Sequence, residues 1–369
     1  MAGQKIIRVP MQSTVPIHGR GAPFNPANRF EELHVEPDPD ADASLSTDDI
    51  ENVGKAPRTK FYKDKTQSVL TDNDSPDVGF ETGINPYRGC EHGCIYCYAR
   101  PTHEYLGFSA GLDFESKIMV KEDAPKLLRK ELMSQKWKPR VVAMSGNTDC
   151  YQPIEKKLEI TRGCLKVFAE FRNPVSIITK NHLVTRDVDL LQELAKHDAA
   201  AVFISVTTLD SALARVMEPR ASMPAQRIEA IKKLSDAGVP VGVMMGPTIP
   251  GLTDHEMLSI IERATDAGAK YAGYIVVRLP HAVKDLFEKW LDVHAPGKKD
   301  KVLNRIRALR DGKLNDPNFG SRMSGHGIFA EQIEKTFEIA CRKAGILGRR
   351  PVLSTAAFQR PSGPQLELF

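Results

Sequence analysis

From residue 82 to residue 277, short apolar runs alternate with stretches of helical period, and the pattern repeats six times. A run that is apolar on consecutive residues must be covered on both faces, and crossover helices supply that cover around a parallel sheet. Strands are expected at 83–87, 141–145, 175–179, 201–206, 239–245 and 271–277. Between them, helices are expected from near Asp123 with Pro125 in the first turn, over 157–171, around 190–196, over 224–237 with Gly238 as the stop, and from a cap at Thr253 or Asp254 to Gly268. Six units fit an open arc better than a closed eight-stranded barrel. The expected fold class is α/β: a partial (β/α)6 TIM-like barrel, with helices at 281–293, 298–311 and 328–344 as a C-terminal helical extension.

This reading divides the chain into an N-terminal arm (1–80), a barrel core (81–280), the helical extension (281–347) and a tail (348–369). The arm sustains no period of 3.6 or 2, and its Pro-containing acidic stretch at 36–51 cannot bury enough apolar surface to offset ordering, so most of it is expected to be extended or disordered. Pro351, Pro361 and Pro364 likewise mark the tail as mobile. With 41% hydrophobic residues the remaining chain can bury a large core. The longest apolar runs, such as 199–206, stop well short of a membrane span, so no membrane partner and a cytoplasmic location are expected. Six cysteines in 369 residues do not make a disulfide framework. Charge is uneven: thirteen Lys and Arg stand against six Asp and Glu over 297–350, in a chain whose net charge is only +4. Such a surplus either solvates helix faces or meets a phosphate-rich partner.

The loop after the first expected strand reads GCEHGCIYCYAR and places Cys90, Cys94 and Cys97 within eight residues. Three thiolates can share one inorganic centre, and three rather than four leave one metal position open for a small molecule. A structural zinc site with His92 or His103 as fourth ligand is the competing reading. In parallel barrels, chemistry gathers at the C-terminal ends of the strands. The polar residues at those ends are SGNTDC at 145–150, Lys180, Ser205 with Thr207 and Thr208, and Arg278. They fall on the same rim as the cysteines, which a zinc knuckle has no need of.

The CxxxCxxC spacing with an aromatic before the last Cys resembles the radical S-adenosylmethionine superfamily. Over residues 82 to about 345 the segments NPYRGCEHGCIYCYAR, GNTDCYQPIE, SIITKN, FISVTTLD with RVMEPRA, GVPVGVMMGPTIPGLTD and GSRMSGHG resemble its spore photoproduct lyase-related group. The resemblance implies a 4Fe-4S cluster on Cys90, Cys94 and Cys97, with S-adenosylmethionine as the second cofactor. It also implies a 5'-deoxyadenosyl radical, formed with one electron from a reductant such as flavodoxin or ferredoxin. It assigns Lys180 to the cofactor carboxylate, Ser205 to its methionyl or ribose groups, and Thr148 and Asp149 to its amine. A Lys ending a strand can equally face solvent, and Thr148 and Asp149 can equally cap the next turn. Glu218 and Arg220 read either as an ion pair or as ligand contacts, and Tyr96 and Tyr98 as packing over the cluster. Spore photoproduct lyase uses a cysteine before a Thr-Ser-Asp run as hydrogen-atom donor. Here Ser145 or Gly146 holds that place and Cys150 follows Asp149, which leaves Cys150 as either donor or buried core residue. Cys164 and Cys341 lie on helical faces and read as core.

The last five residues, QLELF, resemble the bacterial sliding-clamp-binding pentapeptide. Gln365 would set register while Leu366, Leu368 and Phe369 fill an apolar cleft on the DNA sliding clamp, unless the tail folds back on its own domain. Three functions follow: a radical enzyme acting on DNA, in lesion repair or base modification, with a nucleic acid partner; a radical enzyme on RNA or protein; or a non-catalytic iron-sulfur binding protein.

Overall fold

The computed structural model describes residues 6–10, 17–31, 34–38, 56–346, 348 and 350–361. Six parallel strands follow one another in chain order: β1 (Thr82–Ile84), β2 (Val142–Met144), β3 (Val175–Thr179), β4 (Ala200–Ser205), β5 (Val241–Thr248) and β6 (Tyr271–Val276). Each pairs with its sequence neighbour, as a barrel requires and a doubly wound sheet does not. A seventh strand, Leu70–Asp72, runs antiparallel beside β1, and the described ladder ends at β6 without pairing back. All six residues of β4 and all three of β2 are buried, the outcome that continuous apolar runs demand.

The crossover helices are α1 (Ala124–Met133), α2 (Ile160–Phe171), α3 (Val188–Ala195), α4 (Pro224–Asp236) and α5 (Met257–Asp266). Helix α2 turns Ile160, Cys164, Leu165, Val167, Phe168 and Phe171 onto the sheet, and Cys164 is a core residue. Gly238 ends α4 at φ +75, a conformation costly for any residue with a Cβ. Three details differ from the sequence reading. The helix expected over 157–171 breaks at Glu159, because the buried Glu155 carboxylate takes the Thr161 amide and the Arg186 guanidinium. Asp123 takes the N-cap position of α1 as expected, but its side chain makes no cap hydrogen bond and its carboxylate lies near Lys63. Thr253 accepts from the Ile249 amide inside the preceding turn, while Asp254 pairs with Arg305.

The extension forms α6 (Val283–His294), α7 (Lys299–Ala308) and α8 (Ile328–Ala344). Helices α6 and α7 build a second apolar core, centred on Phe287 and Trp290, against the underside of the cysteine loop. Helix α8 sets Phe337 on the Tyr274 ring at 4.9 Å.

Two segments expected to be unstructured are ordered in part. Residues 60–63 pair in parallel with Lys117–Val120, and Ile6–Pro10 with His34–Asp38. Residues 21 and 22 donate both backbone amides to the buried Glu115 carboxylate, at 3.0 and 2.8 Å. Beyond α8, the supposed mobile stretch from Gly348 straps the barrel's outside: Gly348 bridges Tyr271, Ser354 donates to the Asp198 carbonyl, and Phe358 lies 6.3 Å from Phe171. Composition misses both segments, because backbone hydrogen bonds to distant partners hold them rather than a hydrophobic period. The pentapeptide residues Gln365, Leu366, Leu368 and Phe369 lie outside the described residues.

Candidate active site

The loop from β1 carries Cys90, Cys94 and Cys97, all with free thiols. Its path depends on close backbone approach. Gly93 sits at φ +68, and a Cβ there would meet the Glu115 carboxylate at 2.7 Å; one on Gly21 would stand 1.8 Å from the Gly93 carbonyl oxygen. Arg100 gathers the loop, donating to the Cys94 and Gly93 carbonyls at 2.9 and 3.0 Å and to Glu115. Sequence reading missed Gly21, Arg100 and Glu115, since their roles exist only once the arm and loop meet.

The three thiols lie within each other's electrostatic reach in a dry setting. Burial pushes all three up, Cys94 to about 12, with Asp149 adding at Cys90 and Glu218 at Cys94. Against this, the Asp149 amide donates to Cys90, and the Ala99 and Arg100 amides donate to Cys97. Buried thiols with backbone N–H donors aimed at sulfur are suited to ionise only when a cationic centre binds them. Among the described residues no three His, Cys, Asp or Glu side chains gather around a single-ion position. The imidazoles considered as zinc ligands have other partners. His103 Nε2 meets the Lys117 carbonyl at 2.9 Å, and His92 lies between Asn181 at 3.2 Å and Asp149 at 3.3 Å.

The rim residues sort into two groups. Lys180, following β3, remains suited to a ligand: half-buried, it donates Nζ to the Gly246 carbonyl at 3.1 Å, stands 5.8 Å from the Tyr96 ring centre, and acts electrostatically on Cys94 and Cys97. Ser205 closes β4, buried, with its carbonyl held by Arg227 at 3.1 Å. Asp149 and Thr148 form the second group, both bonded within the protein. Asp149 accepts from the Thr179 hydroxyl at 2.7 Å, the Lys180 amide at 2.8 Å and the Tyr151 amide at 2.9 Å. Burial opposes its charge, yet His92, the Lys180 amide and the Thr179 hydroxyl outweigh burial and hold the carboxyl at about 2. Thr148 donates its hydroxyl to the Tyr87 carbonyl at 2.7 Å. These bonds tie the β2 loop to β3 and to the cysteine loop, and the Tyr151 amide on Asp149 is the turn cap that the sequence also allowed.

Cys150 has the placement of a core residue, one of its two readings. The chain turns inward after Asp149, and the Cys150 thiol lies at zero exposure in the barrel core beside Ser145 and Thr161. Ser145, which the sequence sets at the place of the lyase's donor cysteine, has a backbone role here. At φ +74 it turns the chain out of β2, and its hydroxyl takes the Cys150 amide at 2.8 Å.

Glu218 and Arg220 are not each other's partners. Buried Glu218 pairs with Arg227 and accepts from Thr207 at 2.7 Å and from the Tyr96 hydroxyl, whereas Arg220 pairs with Glu91 at 2.9 Å. Burial works against the Glu218 charge, but Arg227 and Lys180 keep its carboxyl below the usual range. Tyr98 is half-exposed, with the Arg278 guanidinium 5.5 Å from its ring centre.

Comparison with known proteins agrees with this geometry. The profile of the Radical SAM superfamily matches residues 84–264. An uncharacterized protein of Mycobacterium bovis is 34% identical over 243 residues, covering 65% of this chain and 70% of that one. One from Methanocaldococcus jannaschii is 33% identical over 175 residues, covering 47% and 63%. Among solved structures, spore photoproduct lyase complexed with dinucleoside spore photoproduct aligns over 86% of this chain and 89% of its own, with a TM-score of 0.56 at 14% identity. The same lyase with bound AdoMet and dinucleoside spore photoproduct gives 0.54 at 14% over 87% and 91%. At that identity the likeness speaks for the fold. The cofactors implied by the superfamily are a 4Fe-4S cluster and S-adenosylmethionine, and three thiols on one loop, two buried and one half-buried, with sulfur-directed amides and a cation beside them, suit that pair. The profile match across the barrel and the one-third identity to a relative over most of its length establish that the chain belongs to the radical SAM superfamily.

Proposed function

We propose that this radical SAM enzyme acts on DNA, on a damaged or modified nucleotide. The observation that carries the reading is the alignment of nearly nine-tenths of the chain with a lyase whose structures hold a dinucleoside lesion; the basic surplus over 297–350 supports it. Bound together, the cluster and S-adenosylmethionine supply a 5'-deoxyadenosyl radical after one-electron reduction. The protein's part is to hold and to exclude. Cys90, Cys94 and Cys97 provide three thiolates, Lys180 meets the cofactor carboxylate as a cation in a partly dry site, and Ser205 offers a hydroxyl at the next strand end. Asp149 is a positioning residue whose amide reaches Cys90 while its carboxylate fixes β3. The apolar wall of Ile249, Leu252, Val277 and Leu279 beneath the loop keeps water from Cys94. A reductant such as flavodoxin or ferredoxin supplies the electron, and the QLELF tail recruits the sliding clamp.

Anaerobic incubation of the reduced, cluster-loaded protein with S-adenosylmethionine and ultraviolet-irradiated oligodeoxynucleotides tests the reading. DNA-dependent release of 5'-deoxyadenosine with a changed nucleotide is expected. Turnover that appears only with RNA or peptides would sink it.

A further inference from the structure

Three arginines meet where β6 ends, under the loop 316–325, and they are satisfied to different degrees. Arg310, fully buried at the end of α7, donates to the Val277 carbonyl at 2.8 Å and the Arg322 carbonyl at 3.2 Å. It staples the loop to the strand end, as does the Val276 amide on the Met323 carbonyl at 2.8 Å. Arg322 is oriented by Asp77 and Ser75. Arg278 differs. Like Arg310 it has no carboxylate within ion-pair distance among the described residues and a buried Nε without an acceptor, but where Arg310 holds two carbonyls, Arg278 Nη1 meets only the Met323 thioether at 3.8 Å. A half-buried guanidinium with unmet donors, beside a second arginine, is costly unless an anion joins it. Burial, and after it the neighbouring Arg322, work against its charge, while Tyr98, Asp77 and Asp316 work for it without offsetting them.

Aromatic rings stand with these cations. Arg278 lies over Tyr98, which is 46% exposed, and Arg322 lies 4.3 Å from the ring centre of Phe319, which is 57% exposed. Guanidinium groups interleaved with open aromatic faces are the equipment of single-stranded nucleic acid recognition, where cations meet phosphates and rings meet bases. Tyr98 directly follows the last cluster cysteine, so a phosphate here would belong to a nucleotide lying at the reaction centre.

We propose that Arg278, assisted by Arg322, is the phosphodiester-binding subsite of this enzyme, taking a backbone phosphate of a single-stranded or extruded nucleotide; this rests on the nucleic acid reading above. The test uses the full-length, cluster-loaded protein and a fluorescein-labelled oligothymidylate of about ten nucleotides, followed by anisotropy over a series of salt concentrations. Arg278→Gln should weaken binding roughly tenfold at low salt. It should also reduce the slope of log affinity against log salt by about 0.7, the share of one single-strand phosphate contact. Arg278→Lys, which keeps charge and packing, should retain the slope. S-adenosylmethionine affinity should be the same in all three proteins. An unchanged slope in Arg278→Gln, with the wild type binding normally, overturns the subsite and leaves the nucleic acid reading standing. A fall in S-adenosylmethionine affinity in Arg278→Gln also overturns it, because the anion would then be the cofactor carboxylate. Failure of the wild type to bind the oligonucleotide overturns both the subsite and the reading beneath it.

Discussion

Charge placement at single residues decides which rim groups are free to bind and which are fixed. Lys180 gives one hydrogen bond to a carbonyl and keeps donor capacity, whereas Asp149 has both carboxylate oxygens engaged. Lys180→Ala should therefore reduce S-adenosylmethionine affinity about tenfold to a hundredfold, as loss of a charged hydrogen bond does, with the cluster still assembled. Calorimetry alongside iron content checks this, and unchanged affinity would remove Lys180 from the site. His103 gives a pH prediction. Burial lowers its imidazole to about 4, so the folded protein keeps it neutral while an unfolded chain protonates near its ordinary value of 6.5. Above that value His103 contributes nothing to pH dependence. As pH falls from about 6.5 to about 4 the unfolded state binds the extra proton and stability drops, by up to about 3 kcal/mol. His103→Gln, which can still donate to the Lys117 carbonyl, should flatten that slope in urea unfolding between pH 7 and pH 4.5. An equal slope in both proteins would show that His103 is protonated in the fold.

Whole elements show where periodicity succeeds and where it stops. The six strands and the helices between them were legible because a buried parallel strand must be apolar on both faces and a covering helix on one. Strand ends were less legible: β1 and β2 are three residues each, since their flanks carry the loops of the site. The arm and the tail were misread because a carboxylate such as Glu115 or a carbonyl such as that of Asp198 can order a distant segment without leaving any period in it. Truncation after residue 349 should thus lower the melting temperature by several degrees, through loss of the Phe358 contact on Phe171 and of the two Arg360 hydrogen bonds to the carbonyls of Ser134 and Trp137. Deleting only residues 365–369 should leave it unchanged while removing any binding of the sliding clamp. Equal melting temperatures for the full chain and the longer truncation would show that the strap contributes nothing.

For the molecule as a whole, the decisive measurement is the metal content. Anaerobically reconstituted protein should hold about four irons and four sulfides, as a 4Fe-4S cluster does. Its reduced form should give an electron paramagnetic signal that changes on adding S-adenosylmethionine, and Cys90→Ala, Cys94→Ala and Cys97→Ala should each lose it. Stoichiometric zinc without iron would contradict the superfamily's chemistry. The sequence by itself determined what is local and repetitive: the strand-helix rhythm, the cysteine spacing and the polar residue closing each strand, because alternation, spacing and strand ends are properties of neighbours in the chain. Tertiary structure alone decided what each of those residues is free to do. Cys150 and Lys180 read alike as polar groups at strand ends, yet one is turned into the core and the other held at the opening. Arg278 looked like one more strand-end cation until the fold showed it lacking the acceptors that Arg310 and Arg322 have. Partners and exposure arise from contacts between segments up to hundreds of residues apart, and a linear pattern does not encode which of them meet.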